Sequence, residues 1–503
     1  MTVRRRFAAL LSSGILLVLL PSFIADAIQP ERRRKPSKLH PTSYLDGLRG
    51  LAACSVFAYH YTDYNHKFFL PAYGSNPPDQ GSSILQLPYI RIVYAGTPMV
   101  HIFFVISGFA LAYRPLKCLY EQRSPASPSH PHSPRSGAIA KCHAVLASSA
   151  FRRPIRLFGP PLVLTLTDVI LVRLGFMNNF IHPEPSLWAQ MTKWAEDAVA
   201  NLTWPWGWDD RSPHSKYNPH LWTIPIEFTH SMLLFLVLLA ISRLRSPALR
   251  QTVLALCMAY MFLLCGRWAS FEFLAGALLA DFHISKESTQ TVDHHDGSQG
   301  HGGKSPKDGI SFFVERVAPL IVLAAAGYII SLPSRPGDIT PSYVWLMLHV
   351  PSQYAPDRAH AFWYALAAFG IVWACARVLA IRRVLESGPA QYAGRISFAF
   401  YILQHPILNI CEHYVLGAAW KAAKDDKPEV LPWGVRGLTG QSTPTQRTVC
   451  WFIGLCILGG MLVWAADVFT RLVDTPIVKA ARSLEGMAFA RDDEDGEVLP
   501  MKN

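Results

Sequence analysis

The chain carries little charge for its length: Asp, Glu, Lys and Arg make up 16% of its 503 residues, against about 25% in ordinary soluble domains. That deficit excludes a string of soluble domains. The nine cysteines show no CxxC or other ligand spacing, and most, such as Cys54, Cys257, Cys265, Cys375 and Cys456, lie within apolar runs. Neither a disulfide framework nor a zinc site is indicated, and no metal is expected. No internal repeat is evident, which weighs against a transporter built from inverted halves. What the chain has in quantity is apolar residues. It is 50% hydrophobic with 14 Trp, 18 Tyr and 27 Phe, and its mean hydropathy is +0.19. This is the balance of a polytopic membrane protein. The expected fold is all-α, a bundle of about ten core transmembrane helices plus an N-terminal hydrophobic segment. The net charge of +12 sits in loops between apolar runs, as membrane topology requires, so no nucleic-acid partner is expected.

Residues 1–28 have a basic start, an apolar middle and a small-residue ending (RRRF, AALLSSGILLVLL, PSFIADA), which fits a signal peptide or a first membrane helix. Arg32, Arg33, Arg34, Lys35 and Lys38 follow at once. They place 31–42 in the cytosol and favour an uncleaved helix. Core spans are expected at about 45–64, 93–113, 156–176, 220–242, 249–266, 268–284, 311–332, 362–383, 396–417 and 448–470. The loop 114–156 holds Arg114, Lys117, Arg123, Arg135, Lys141, Arg152, Arg153 and Arg156, whereas 65–92 holds only Lys67 and Arg91. Arg243, Arg245 and Arg250 fall on the same side as the first loop, as do Arg377, Arg382 and Arg383. The core termini are therefore expected to be cytoplasmic. One domain is read over 43–475, with disordered cytoplasmic loops near 118–148 and 286–309 and a cytoplasmic tail over 476–503 that ends in RDDEDGE. His294, His295 and His301 belong to the second loop and read as part of a solvated linker. The sequon Asn201-Leu-Thr203 falls in the loop 177–219, which this threading puts outside, and is a candidate glycosylation site.

The stretch that organises the chain is Ser43 to Tyr64, apolar enough for a bilayer yet carrying Asp46, Arg49 and His60. Ionisable groups inside a membrane helix are costly and point to function. Arg49 and His60 are eleven positions apart, about three helical turns plus roughly 20°, so both leave one face about 16 Å apart. Asp46 stands one turn before Arg49 and can pair with it. HLWTIPIEFTHSMLLFL (220–236) adds Glu227 and His230, with Pro225 expected to bend the helix. Arg49 and His60 are the candidate partners for the Glu227 carboxylate. ISFAFYILQHPILNI (396–410) adds His405, with Tyr401 one turn before it. FRRPIRLFGPP (151–161) places Arg152, Arg153 and Arg156 at the cytoplasmic mouth, a cluster suited either to phosphate or to anchoring topology. In TPMVHIFFVISGFALAYRP, Ser107 and Gly108 allow close approach by a helix or a thin ligand, and His101 reads as a lone structural imidazole.

These stretches resemble acyltransferase family 3. LDGLRGLAACSVFAYH, FFVISGF, FRRPIRL, LWTIPIE, EFLAGALLA and ISFAFYILQH occur in that family's order over about residues 43–475. The resemblance implies an integral-membrane O-acyltransferase that takes an acyl group, most commonly acetyl, from acyl-coenzyme A as co-substrate. The acceptor would be a hydroxyl on a glycan, glycolipid or small secreted metabolite. It maps the family's Arg-x10-His signature onto Arg49 and His60, its arginine mouth onto Arg152, Arg153 and Arg156, and its tryptophan-to-glutamate motif onto Trp222 and Glu227. Asp46, Trp222 and His405 are supporting candidates. His101 and Asp474 stand where the family often carries an acidic residue and a glutamate. An endomembrane or plasma-membrane location is expected. The rival from another class is a proton-coupled transporter with an intramembrane Arg, His and Glu path.

Overall fold

The computed structural model describes residues 18–29, 39–75, 82–121, 134–177, 181–203, 214–244, 246–295, 313–334, 340–355, 358–417, 434–440 and 442–489. Among them every regular element is a helix. In chain order these are α1 (Ser22–Ile28), α2 (Ser43–Asn65), α3 (Gly96–Glu121), α4 (Pro134–Arg173), α5 (Leu187–Asp197), α6 (Thr223–Ile241), α7 (Pro247–Ala259), α8 (Trp268–His295), α9 (Ala318–Ile330), α10 (Val344–Leu348), α11 (Ala359–Cys375), α12 (Leu379–Leu385), α13 (Gly388–Tyr414), α14 (Val435–Thr439), α15 (Pro444–Phe469) and α16 (Thr475–Ala488).

A helix occupies each of the ten expected core stretches. Among the described residues, five helical stretches are long and apolar enough to cross a membrane: Gly96–Tyr120, Gly137–Arg173, Pro219–Ile241, Pro247–Leu264 and Pro444–Ala488. The pair α11 and α12, bent by 93°, makes a sixth if it is one broken span. The helix α2 is not among them, because Arg49, His60, Asp63 and its tyrosines lower its hydropathy. The outer faces carry bare apolar side chains such as Leu236, Leu256, Ile321 and Phe452, the surface of a protein that meets lipid rather than water.

The helix α2 sits between two apolar cores. Leu48, Ala52 and Val56 belong to one, shared with α3, α6, α7, α8 and α11. Ala53, Phe57 and Tyr61 belong to the other, shared with α4, α6, α13 and α15. Glycines set how closely the central helices approach. A Cβ on Gly50 would collide with the backbone at Gly394, and one on Gly394 with the Asp46 carbonyl, so α2 and α13 meet backbone to backbone. In the same way Gly108 abuts Phe273 and Gly276 abuts Val105, joining α3 to α8. The small residues of the FFVISGF stretch thus serve a neighbouring helix.

Several loops and ends are more ordered than their composition implies. The Ala-rich run after Pro134 makes α4 a helix of 40 residues that passes through Pro154, Pro160 and Pro161, so only 122–133 of the first low-complexity loop lie outside the described residues. Likewise α8 continues to His295, whereas 296–312, His301 included, lie outside them. Residues 475–488 of the expected tail form α16 on α4, with Ile477 against Gly159 and the Phe489 ring 5.3 Å from that of Phe151. The acidic run 491–497 lies outside the described residues. Pro225 stands in the first turn of α6, where the backbone N–H has no intrahelical acceptor to lose. Near the N-terminus, Ser22 donates to Asp467 from its backbone nitrogen (3.1 Å) and its hydroxyl (2.6 Å). Tyr392 (2.8 Å) and Arg471 (2.7 Å) donate to the same carboxylate. The segment after residue 17 is thus docked on α13 and α15.

Replacing Gly108 with Val is expected to lower stability by about 1–3 kcal/mol through overpacking against α8. Gly460→Ala, whose Cβ would meet nothing within 4 Å, is expected to leave it unchanged. Thermal unfolding in detergent distinguishes the two.

Candidate active site

The polar face of α2 has two ends. At the first, Arg49 pairs with Asp46 at 3.0 Å, as their spacing anticipates. Its remaining donors cross to α13, Nε to the Ser397 hydroxyl at 2.9 Å and Nη2 to the Gly394 carbonyl at 3.0 Å. The glycine contact between the two helices makes this reach possible. Arg49 is therefore tied to α13, about 16 Å along the axis from His60.

Beside Arg49 lies the arginine cluster of α4, and its three members have different partners. Arg153 Nη2 pairs with Glu227 Oε1 at 2.7 Å, and its Nε donates to the Ser231 hydroxyl at 3.1 Å. Because Glu227 and Ser231 are one turn apart on α6, one guanidinium fork spans both. The Ser107 hydroxyl donates to the same Glu227 oxygen at 3.0 Å. The cation that satisfies Glu227 is thus Arg153, not Arg49 or His60. Arg152 Nε pairs with Glu485 of α16 at 3.1 Å and also donates to the Ser148 carbonyl at 3.2 Å. Arg156 is exposed, has no hydrogen bond or ion pair among the described residues, and lies within electrostatic reach of Arg152, Arg153, Asp474 and Arg482. Asp474 in turn is within reach of Arg49. Asp474 thus links Arg49 electrostatically to the cluster Arg152, Arg153 and Arg156.

At the other end three imidazoles meet. The ring of His60 stacks on that of His220, with centroids 3.7 Å apart and planes 21° from parallel. His405 stands edge-on to His220 at 5.1 Å. The Tyr64 hydroxyl is 3.1 Å from His220 Nε2, while His220 Nδ1 has no partner among the described residues. Tyr401 donates its hydroxyl to the His220 carbonyl and lies 2.7 Å from the Thr223 hydroxyl. Local structure puts His220 there. The Asn218 side chain accepts from the His220 backbone N–H, capping the short turn Pro219–Trp222. The Asn218 amide also donates to the Ile402 carbonyl at 2.9 Å, fixing that turn to α13.

The two ends are joined along α6. Thr223, Glu227 and Ser231 follow one another at intervals of four, one above the next on one face, and Tyr401 is within electrostatic reach of Glu227. A polar stripe therefore runs from Arg153 to the His220 turn. The spacing was readable in the sequence. His220 was not singled out, because it precedes the helix and nothing local shows that its ring will meet α2.

Other candidates stand apart. Trp222 packs its ring against that of His214, with centroids 6.3 Å apart. His230 Nδ1 is 2.8 Å from the Ile226 carbonyl one turn back. Asn201 donates its amide to Asp197 at 2.7 Å, and Thr203 donates to the Ala198 carbonyl at 3.0 Å, so both ends of the sequon are held within a turn. His101 has a partner: its Nδ1 lies 2.5 Å from Glu272 of α8, with both side chains buried. Arg250, counted above among the loop cations, is buried and pairs with Asp281 at 2.9 Å. Among the described residues no group of three or more His, Cys, Asp or Glu is placed to hold a metal ion.

The profile of the family described as "Acyltransferase domain" matches residues 42–466, which hold both ends of this stripe. The chain belongs to that family. Three fungal proteins are similar to this acyltransferase. The O-acetyltransferase PaAT-1 of Phomopsis amygdali is 31% identical over 430 residues, covering 80% of this chain and 78% of its own length. The acyltransferase R4 of a Phoma species is 25% identical, covering 92% and 98%. The acyltransferase clz18 of Cochliobolus lunatus is 23% identical, covering 91% and 98%. No solved structure matches the chain. In this acyltransferase the acidic group beside His101 comes from Glu272 on another helix.

If the His220 ring is what orients His60, His220→Phe should keep most of the acyl-transfer turnover, and His220→Ala should lower kcat by about tenfold or more with little change in donor KM. A group misplaced by about 1 Å costs up to a hundredfold. Steady-state kinetics of both variants test this.

Proposed function

We propose that this acyltransferase moves an acetyl group from acetyl-coenzyme A to a hydroxyl of a glycan, glycolipid or small metabolite, with His60 handling the proton. The observation that carries this reading is the polar stripe between an arginine cluster at Glu227 and a stacked imidazole within an otherwise apolar bundle. The donor is polyanionic at one end and thin at the other. Arginine forks suit its phosphates, and exposed Arg156 is the member readiest to take them. Arg152 can join by exchanging Glu485 for phosphate. Arg153 is committed to Glu227 and holds the wall of the stripe instead. The pantetheine arm then follows Ser231, Glu227 and Thr223 inward.

At the far end His60, a base of ordinary pKa about 6.5 in its free state, takes the acceptor hydroxyl proton as the oxygen attacks the thioester carbonyl. The C–O bond forms, the C–S bond breaks, and the thiolate leaves with the proton from the imidazolium. An acyl group carried on His60 itself is the covalent variant of the same step. His220 and His405 enclose the ring, and Arg49 and Asp46 brace α2 against α13. The fungal relatives that are named as acyltransferases, one as an O-acetyltransferase, support the class. The arginine cluster fits the cytosolic side, where coenzyme A is supplied and where the core termini would lie, in an endomembrane or plasma membrane crossed about ten times. An N-glycan on Asn201 would be added before the turn around it closes.

The test is coenzyme A release from acetyl-coenzyme A by purified protein in detergent. Wild type should turn over, and His60→Ala should lose at least about a hundredfold, the low end for removing a general base. Binding of coenzyme A with normal turnover in both His60→Ala and Arg49→Ala would remove these residues from the chemistry. Absence of binding and turnover with any acyl-coenzyme A would leave the intramembrane Arg, His and Glu path to proton-coupled transport.

A further inference from the structure

The helix α16 lies beyond the residues that the family profile matches, which end at 466, and the stripe makes no use of it. Its contacts show how it lies on α4. Ile477 meets Gly159, Glu485 pairs with Arg152 at 3.1 Å, and the Phe489 ring stands 5.3 Å from that of Phe151. Residue numbers rise on one helix as they fall on the other, so the two run antiparallel. Between the first two contacts α4 advances about 11 Å and α16 about 12 Å. Arg156 and Arg482 both fall in that interval, within about one turn of the same level, and each is within electrostatic reach of the other. Both are exposed, and neither makes a hydrogen bond or an ion pair among the described residues. The other two guanidinium groups of α4 are already matched, Arg153 by Glu227 and Arg152 by Glu485. Asp474 is within reach of Arg156, but its single charge is shared with Arg49. Two cations held side by side repel each other until an anion sits between them. A phosphate group has the charge and the oxygens to take both forks.

The order of the cations along α4 decides which phosphate. The helices α4 and α6 are antiparallel too: His143 meets Ser242, Arg153 meets Ser231, and the Phe158 ring lies 5.0 Å from that of Phe228. Because the His220 turn precedes α6, higher numbers on α4 are nearer the histidine end. Arg156 is one turn, about 6 Å, nearer to it than Arg152. To a site entered from the arginine end, coenzyme A presents its 3′-phosphate on the outside, its diphosphate next and its pantetheine arm innermost. The inner pair of cations therefore matches the diphosphate, which adjoins the arm. We propose that α16 is part of the donor site, and that Arg482 and Arg156 grip the diphosphate of coenzyme A between two antiparallel helices. The proposal rests on the acyl-transfer reading above. It adds Arg482, from a helix outside the family match, as a residue that selects the donor.

The probes are coenzyme A and dephospho-coenzyme A, which keeps the diphosphate and lacks the 3′-phosphate. Their dissociation constants are measured by calorimetry on the purified full chain in detergent. Arg482→Ala should weaken both about tenfold, the scale of one charged hydrogen bond. Arg482→Lys should recover most of that loss, because a point charge still pairs with phosphate. Arg482 is exposed, so thermal unfolding without ligand should be the same in all three proteins. Equal affinities in wild type and Arg482→Ala would overturn the role of α16. A loss confined to coenzyme A would move Arg482 to the 3′-phosphate and overturn the diphosphate assignment. A loss that Arg482→Lys does not recover, with lower thermal stability, would make Arg482 a structural residue and overturn the proposal. Binding by wild type without coenzyme A release from acetyl-coenzyme A is failure of the acyl-transfer reading, with the phosphate site intact. Absence of binding to wild type overturns both.

Discussion

Arg153 and Glu227 hold each other at 2.7 Å, each with a serine hydroxyl as second partner, and the polar interior of the bundle is arranged around that pair. A carboxylate inside an apolar bundle is tolerable only with a cation and hydrogen bonds to spread its charge. Ser107 of α3 and Arg153 of α4 supply them, and Ser231 of α6 accepts from Arg153 in turn, so the pair also fixes three helices to one another. Once it is made, the face of α6 that carries Glu227 must point inward, and Thr223 one turn earlier is carried in with it. Thr223 meets Tyr401, which holds the carbonyl of His220. The histidine stack is thus tied back to an ion pair about two turns away.

The helix α2 makes the site two-ended. Its apolar faces fill two separate cores, leaving one polar edge that starts at Arg49 and finishes with His60 and Asp63. Close glycine contact at Gly50 and Gly394 keeps the Arg49 end rigid against α13. The His60 end is held by ring contacts instead, on His220 and against Tyr59. Charge recognition and proton transfer are therefore about three turns apart on one helix. That separation suits a donor whose phosphates and thioester are far apart.

Much of this was legible from local spacing. The eleven-residue interval from Arg49 to His60, the one-turn step from Asp46 to Arg49 and the placing of a helix over each apolar run all follow from 3.6 residues per turn. Family resemblance over about residues 43–475 was legible for the same reason, since its motifs are runs within single helices. Composition misled in places: the Ala-rich part of a low-complexity loop joins α4, and part of the tail becomes α16, because a helix that can pack is stabilised by its neighbours as well as by its own propensity. Arg250 counted as a loop cation until Asp281 on the next helix took it inside.

What the sequence by itself determined is the set of helices, their apolar surfaces and the polar residues that share a face, since those depend on one helix at a time. Only the tertiary structure decided the partners. It gave Glu227 to Arg153 and not to Arg49, set His220 against His60, and divided three adjacent arginines among Glu485, Glu227 and no partner among the described residues. The physical reason is that an ion pair or a ring stack between helices is governed by how closely and at what rotation they pack, which glycines and apolar surfaces far apart in the chain set together.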